Sequence, residues 1–159
     1  MKVLFPCYSI PLSGEIDVVE GVNDGTVNQA TLHTTSGCTG TSDASQMTGK
    51  ILGTTCASSG NNNDGCAVQD RDSKSFGKGF NNAGGGVFVH LWNNDGIKAW
   101  FFTRDAIPKD IIDKQPDPST WGLPFSLWSS NTCDPNHFSK HSLTLNIALC
   151  VRIISLAWF

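Results

Sequence analysis

Gly14-Glu15-Ile16-Asp17-Val18-Val19-Glu20-Gly21 sets three acids among three β-branched residues. Branching at Cβ favours the extended, pleated backbone, so the stretch predicts a strand. In a regular strand Glu15 and Asp17 point to one face and Glu20 to the other. One extra residue absorbed by a β-bulge at Val18-Val19 would bring all three carboxyls onto one face, and bulges are over-represented beside active sites. The chain holds 12 Asp but only two Glu, and both lie in this stretch.

Working outward, residues 29–34 predict a second strand. The clearest hairpin runs Val87–Trp92, turn Asn93-Asn94-Asp95-Gly96, then Ile97–Thr103, because Asp-Gly supplies the positive φ of a tight hairpin. In its first arm Phe88, His90 and Trp92 share one face and Val87, Val89 and Leu91 the other. Residues 37–86 are polar and Gly/Asn-rich, which predicts loops and short strands. Pro108 to Lys114 reads as one helical turn with the proline at its start. Residues 142–149 alternate apolar with polar, the pattern of a half-buried strand. Helical periodicity is otherwise nearly absent, so the expected class is an all-β sandwich or barrel.

The chain's 159 residues fit one domain. Charged residues make up 16%, below the roughly 25% usual in globular proteins. A formal charge of −3 argues against a nucleic-acid partner, which needs a basic patch. No apolar run reaches the ~18 residues of a membrane span. Six cysteines without a C-x-x-C pair suit a secreted, disulfide-bonded protein. Cys38, Cys56 and Cys66 are expected to staple one loop region, one of them needing a distant partner such as Cys7, and Cys133 is expected to lie near Cys150. Met1 to Phe5 does not read as a secretory leader, since Pro6 follows only three apolar residues and an h-region needs roughly 7–15.

Three like charges on one face repel, and the cheapest state leaves one protonated near neutral pH. One ionised and one protonated carboxyl are the equipment of glycoside cleavage. In a retaining enzyme they sit ~5–5.5 Å apart, the anion attacking the sugar carbon while the acid protonates the departing oxygen. The competing reading is a solvated acidic edge or a calcium site with Asp24 as a further ligand.

Residues 14–23 resemble the E-x-D-x-x-E signature of glycoside hydrolase family 16, in particular the fungal laminarinase-like endo-β-1,3(4)-glucanases. The resemblance continues through Thr31-Leu32-His33-Thr34, Gly84-Gly85-Gly86-Val87-Phe88, Ile97-Lys98-Ala99-Trp100-Phe101-Phe102, Trp121-Gly122-Leu123-Pro124 and Asn131-Thr132-Cys133-Asp134. It covers about residues 14–150. It implies a concanavalin-like β-jelly roll of two antiparallel sheets with a glucan cleft on the concave side. It also implies a retaining mechanism, with Glu15 as nucleophile, Glu20 as acid/base and Asp17 as the assisting carboxyl. His33 matches the family's histidine on the strand beside the motif, facing the cleft, and Trp92 matches a family tryptophan on its strand; both are expected to bind substrate. The implied protein is a secreted monomer acting on β-1,3- or mixed β-1,3/1,4-glucan, with no cofactor and no metal.

Residues 1–13 and 151–159 fall outside the resemblance. The chain thus divides into a non-matching N-terminal segment, a partial catalytic domain over 14–150 and a non-matching tail. An incomplete jelly roll lacking N-terminal and C-terminal strands is expected, with its Leu143–Leu149 face partly uncovered. A non-catalytic carbohydrate-binding jelly roll, or an inactive fragment, is the alternative. Of the remaining residues, His90, Trp100, Phe101 and Phe102 read as packing, and Trp121 and Trp128 as loop aromatics that stack on sugar or pack beneath the loop. Cys133-x3-His137-x3-His141 has zinc-like spacing but lacks a clean fourth ligand.

Overall fold

The computed structural model describes residues 2–5, 13–59 and 62–147. Two antiparallel sheets account for its strands. The larger contains β1 (Lys2–Phe5), β2 (Glu15–Glu20), β3 (Gln29–His33), β4 (Lys50–Ile51), β5 (Cys66–Gln69) and β9 (Thr144–Asn146). Its spatial order is β4-β5-β3-β2-β1-β9. The smaller is the consecutive meander β6 (Gly86–Asn93), β7 (Gly96–Thr103) and β8 (Ser126–Ser129). Two short helices, α1 (Gly77–Asn82) and α2 (Lys109–Ile112), lie outside the sheets.

The hydrophobic core lies between the sheets. Ile16, Val18, Val19, Ala30, Leu32 and Val68 come from the larger one, and Ile97, Ala99 and Trp128 from the smaller. Leu32 and Trp128 are sealed from water, and burying a side chain of leucine's size stabilises by about 1.5–3 kcal/mol. Trp128 also crosses the layers, donating its indole N–H to Cys66 O at 3.2 Å. Polar and apolar residues alternate along β3 and along β2 except at Val18-Val19, so each strand turns one set of side chains to this core and the other set away from it.

The β6–β7 hairpin pairs Asn93 with Gly96, leaving Asn94-Asp95 as a two-residue loop. Gly96 has φ +131°, and a Cβ there would sit 2.1 Å from Trp128 O. The turn therefore needs glycine both for conformation and for the close approach of β8. Phe88, His90 and Trp92 share the face opposed to Phe101, Ala99 and Ile97, as the alternation predicts.

Three features differ from the sequence reading. A strand forms at Lys2–Phe5 between β2 and β9. Helix α1 forms in a segment with two glycines, because Phe80 packs against Phe88 and Phe101 at ring separations of 5.9 and 6.1 Å; tertiary packing overrides propensity. Within the described residues the predicted strand over 142–149 is confined to Thr144–Asn146, while the exposure of Leu143, Leu145 and Ile147 by 65–68% agrees with the partly uncovered face expected there. Leu149 lies outside the described residues. Among the described residues no helix is long and apolar enough to cross a membrane.

Candidate active site

The β2–β3 ladder runs in register from Glu15↔His33 through Ile16↔Leu32 to Asp17↔Thr31, and resumes at Glu20↔Gln29. Three steps along β2 thus match two along β3, which is the bulge the motif predicts at Val18-Val19. Both valines are buried. The bulge interrupts the ladder, and a buried backbone group without a partner costs about 1–3 kcal/mol. The side chain of Asn28, itself sealed from water, occupies the break. Its Nδ2 donates to Val18 O at 3.1 Å and its Oδ1 accepts from Glu20 N–H at 3.1 Å.

Directly opposed residues of an antiparallel pair share a face. Glu15 and His33 therefore lie on one face with Asp17 and Thr31, and Glu20 joins them, since Thr31 Oγ1 donates to Glu20 Oε2. Gln29 supports this arrangement by donating Nε2–H to Thr31 Oγ1 at 3.1 Å. His33 Nε2 lies 3.2 Å from Asp17 Oδ2, and its Nδ1 shares a hydrogen bond of 3.0 Å with Ser58 Oγ. Glu15, Asp17 and His33 are each at most 5% exposed, so electrostatic interactions among them are screened less than in bulk water.

Ser58 is delivered to His33 from a distant part of the chain. Thr34 N–H donates to Cys56 O at 2.9 Å and Ser58 N–H to Thr34 O at 2.9 Å, so residues 56–58 run alongside the end of β3. The Cys56–Cys66 disulfide closes this loop onto β5. A second disulfide, Cys38–Cys133, spans 95 residues of sequence. The distant partner expected for the loop cysteines is thus Cys133. Cys7 and Cys150 lie outside the described residues, and the expected neighbour of Cys150 is already bonded to Cys38.

The structure brings together four of the five candidate residues, Glu15, Asp17, Glu20 and His33. It does not bring Trp92 to them. Trp92 lines an apolar gap with Ile16, His90, Ile97 and His141, and Ile16 belongs to the core side of β2. Trp92 packs on His141 and Phe138 at ring separations of 5.1 and 6.2 Å. Trp128 is core, and Trp121 stacks edge-on against Trp100 and Phe102 while donating to Asp110 Oδ2 at 2.8 Å. Asn28, Thr31 and Ser58 were missed by the sequence reading. Thr31 had a usable signal, lying two residues before His33 on the same strand, whereas Asn28 and Ser58 act from loops.

The zinc-like spacing does not converge on one point. Cys133 is in a disulfide, His137 Nδ1 shares a 3.0 Å hydrogen bond with Thr35 Oγ1, and His141 Nε2 donates to Ser13 O at 2.9 Å. Among the described residues, the one set of three metal-ligating side chains gathered closely enough for an ion is Cys38, Cys56 and Cys133. Those sulfurs are committed to the two disulfides.

Comparison with known proteins points the same way as the motif. The family model for the XgeA-like, catalytic domain of glycoside hydrolase family 16 matches residues 6–159. A probable glycosidase of Schizosaccharomyces pombe is 43% identical over 143 residues, which is 88% of this chain and 34% of that protein. An endo-1,3(4)-β-glucanase of Arthroderma benhamiae is 38% identical over 145 residues, 88% of this chain and 32% of its own length. A solved structure of a mutant laminarinase 16A that cyclizes laminariheptaose superposes with a TM-score of 0.81 at 34% identity, over 89% of this chain and 49% of that one. The chain therefore spans about a third of these curated relatives and half of the solved laminarinase. With its antiparallel sheets, its bulged acidic strand and these matches, the chain belongs to glycoside hydrolase family 16.

Proposed function

We propose that this chain carries the cleavage machinery of an endo-acting, retaining β-glucanase for β-1,3- or mixed β-1,3/1,4-glucan. One observation carries the reading: the bulge at Val18-Val19 sets Glu20 on the same face as Glu15 and Asp17. In the first step the Glu15 carboxylate attacks the anomeric carbon. The glycosidic C–O bond breaks as Glu20 gives its proton to the leaving oxygen. In the second step the Glu20 carboxylate takes a proton from water, whose oxygen displaces Glu15 and restores the starting configuration. Asp17, set between the two and steadied by His33 at 3.2 Å, modulates both carboxyls. Similarity to an endo-1,3(4)-β-glucanase and to a laminarinase supports the substrate class. The two disulfides among the described residues suit a protein working outside the cell.

Reducing-sugar release from laminarin tests this directly. Glu15→Gln should abolish release. Glu20→Gln should abolish it on laminarin yet largely spare aryl glycosides with good leaving groups, which need no proton. Two variants that both match the unaltered chain would end the assignment.

A further inference from the structure

We infer that Asn28 is a positioning residue for Glu20: its amide side chain holds the β2 bulge open and so keeps the acid/base on the reactive face. The role of Glu20 itself rests on the function proposed above. Asn28 is sealed from water and each of its polar groups is engaged. Nδ2 and Oδ1 bind Val18 O and Glu20 N–H, the backbone groups on either side of Val19. Its own N–H donates to Ser75 Oγ at 2.8 Å, its carbonyl accepts from Asp70 N–H at 2.9 Å, and Ser75 Oγ donates to Asp72 O at 2.7 Å. The residue is thus fixed from three sides: the bulged strand, the turn after β5 and the segment leading to α1.

The geometry makes the clamp specific to Glu20. Glu15 and Asp17 sit in the regular part of the ladder, opposite His33 and Thr31, where ordinary pairing orients them. Glu20 lies beyond the break, and a slip of one residue there would turn it to the core side, since side chains alternate strictly along a strand. The donor from Thr31 to the Glu20 carboxylate is made only when the slip is prevented.

The two glutamates of the chain make the test clean, because glutamate-selective 15N labelling gives two backbone amide signals. In Asn28→Ala the Glu20 amide should exchange with solvent about tenfold faster or more, while the Glu15 amide is unchanged. Ser75→Ala keeps the Asn28 amide but removes one anchor. It should give the same selective change at smaller amplitude, and it decides the matter if Asn28→Ala does not fold. Equal acceleration of both amides, or none, overturns the inference. Activity gives a second readout. Loss on laminarin should reach roughly 10²-fold, the scale of a misplaced general acid, with a change of only about a few-fold on a dinitrophenyl laminaribioside. Equal losses on the two substrates would mark a structural role only. If the unaltered chain releases no sugar at all, the proposed function fails, while amide exchange still decides the clamp.

Discussion

Gly65 shows how closely the reactive face is packed at its β5 side. It has φ +66°, and a Cβ added there would meet Leu32 O and Thr31 Cγ2 at 2.6 Å and His33 Cε1 at 2.8 Å. Gly65→Ala should therefore push His33 away from Asp17 and cost about 1–3 kcal/mol in stability. Urea unfolding together with the laminarin assay checks this, and an unchanged midpoint would refute it. His90 matters for a different reason. Its ring nitrogens are buried without a hydrogen-bond partner among the described residues, and burial holds its pKa down from 6.5 to about 4. The folded state thus prefers the neutral ring. That contribution is complete above pH 6.5 and is lost as pH falls toward 4. The loss is on the order of 3 kcal/mol. His90→Phe should flatten the stability curve across this window when midpoints are measured by denaturant titration. A slope as steep as in the unaltered chain would contradict it. Asp70, whose carboxyl is raised by burial, works in the opposite sense at the acid end.

At the scale of elements, the Cys56–Cys66 loop is the support that carries Ser58 to His33. Replacing both cysteines with alanine should lower stability by about 2–4 kcal/mol and loosen His33. Both effects are measurable, the first by thermal unfolding and the second by line broadening of the His33 ring protons; a sharp, unshifted ring signal would argue against the coupling. The elements also explain what the residues alone could reveal. The strands at 15–20 and 29–33 and the hairpin over 86–103 were legible because their side chains alternate over several residues and their ends carry strong turn chemistry. The acids were legible for the same reason, together with the scarcity of glutamate. Helix α1 was not, since its stability comes from Phe80 on Phe88 and Phe101. Nor were Asn28 and Ser58, whose partners lie 10 and 25 residues away and leave no periodic trace. The disulfide pairing was open for the same reason, because Cys38 finds its partner 95 residues on.

At the scale of the molecule, the sheets are unequal among the described residues, six strands against three. Along β9 and just beyond its two ends the chain exposes Leu143, Leu145 and Ile147 in a row, each by 65% or more. An exposed apolar row of this kind is expected to drive self-association. Sedimentation velocity should show mass increasing with concentration, and Leu145→Lys should reduce it while leaving the unfolding midpoint within about 0.5 kcal/mol; a concentration-independent monomer would contradict the expectation. The alternation along β2 and β3 has a practical corollary for engineering. Because successive positions answer separately to chemistry and to folding, substitutions on the two sides of these strands can be screened in independent libraries and recombined afterwards. The exception is the dipeptide Val18-Val19, where both residues turn inward: there the two libraries interfere, and combined gains should fall short of their sum.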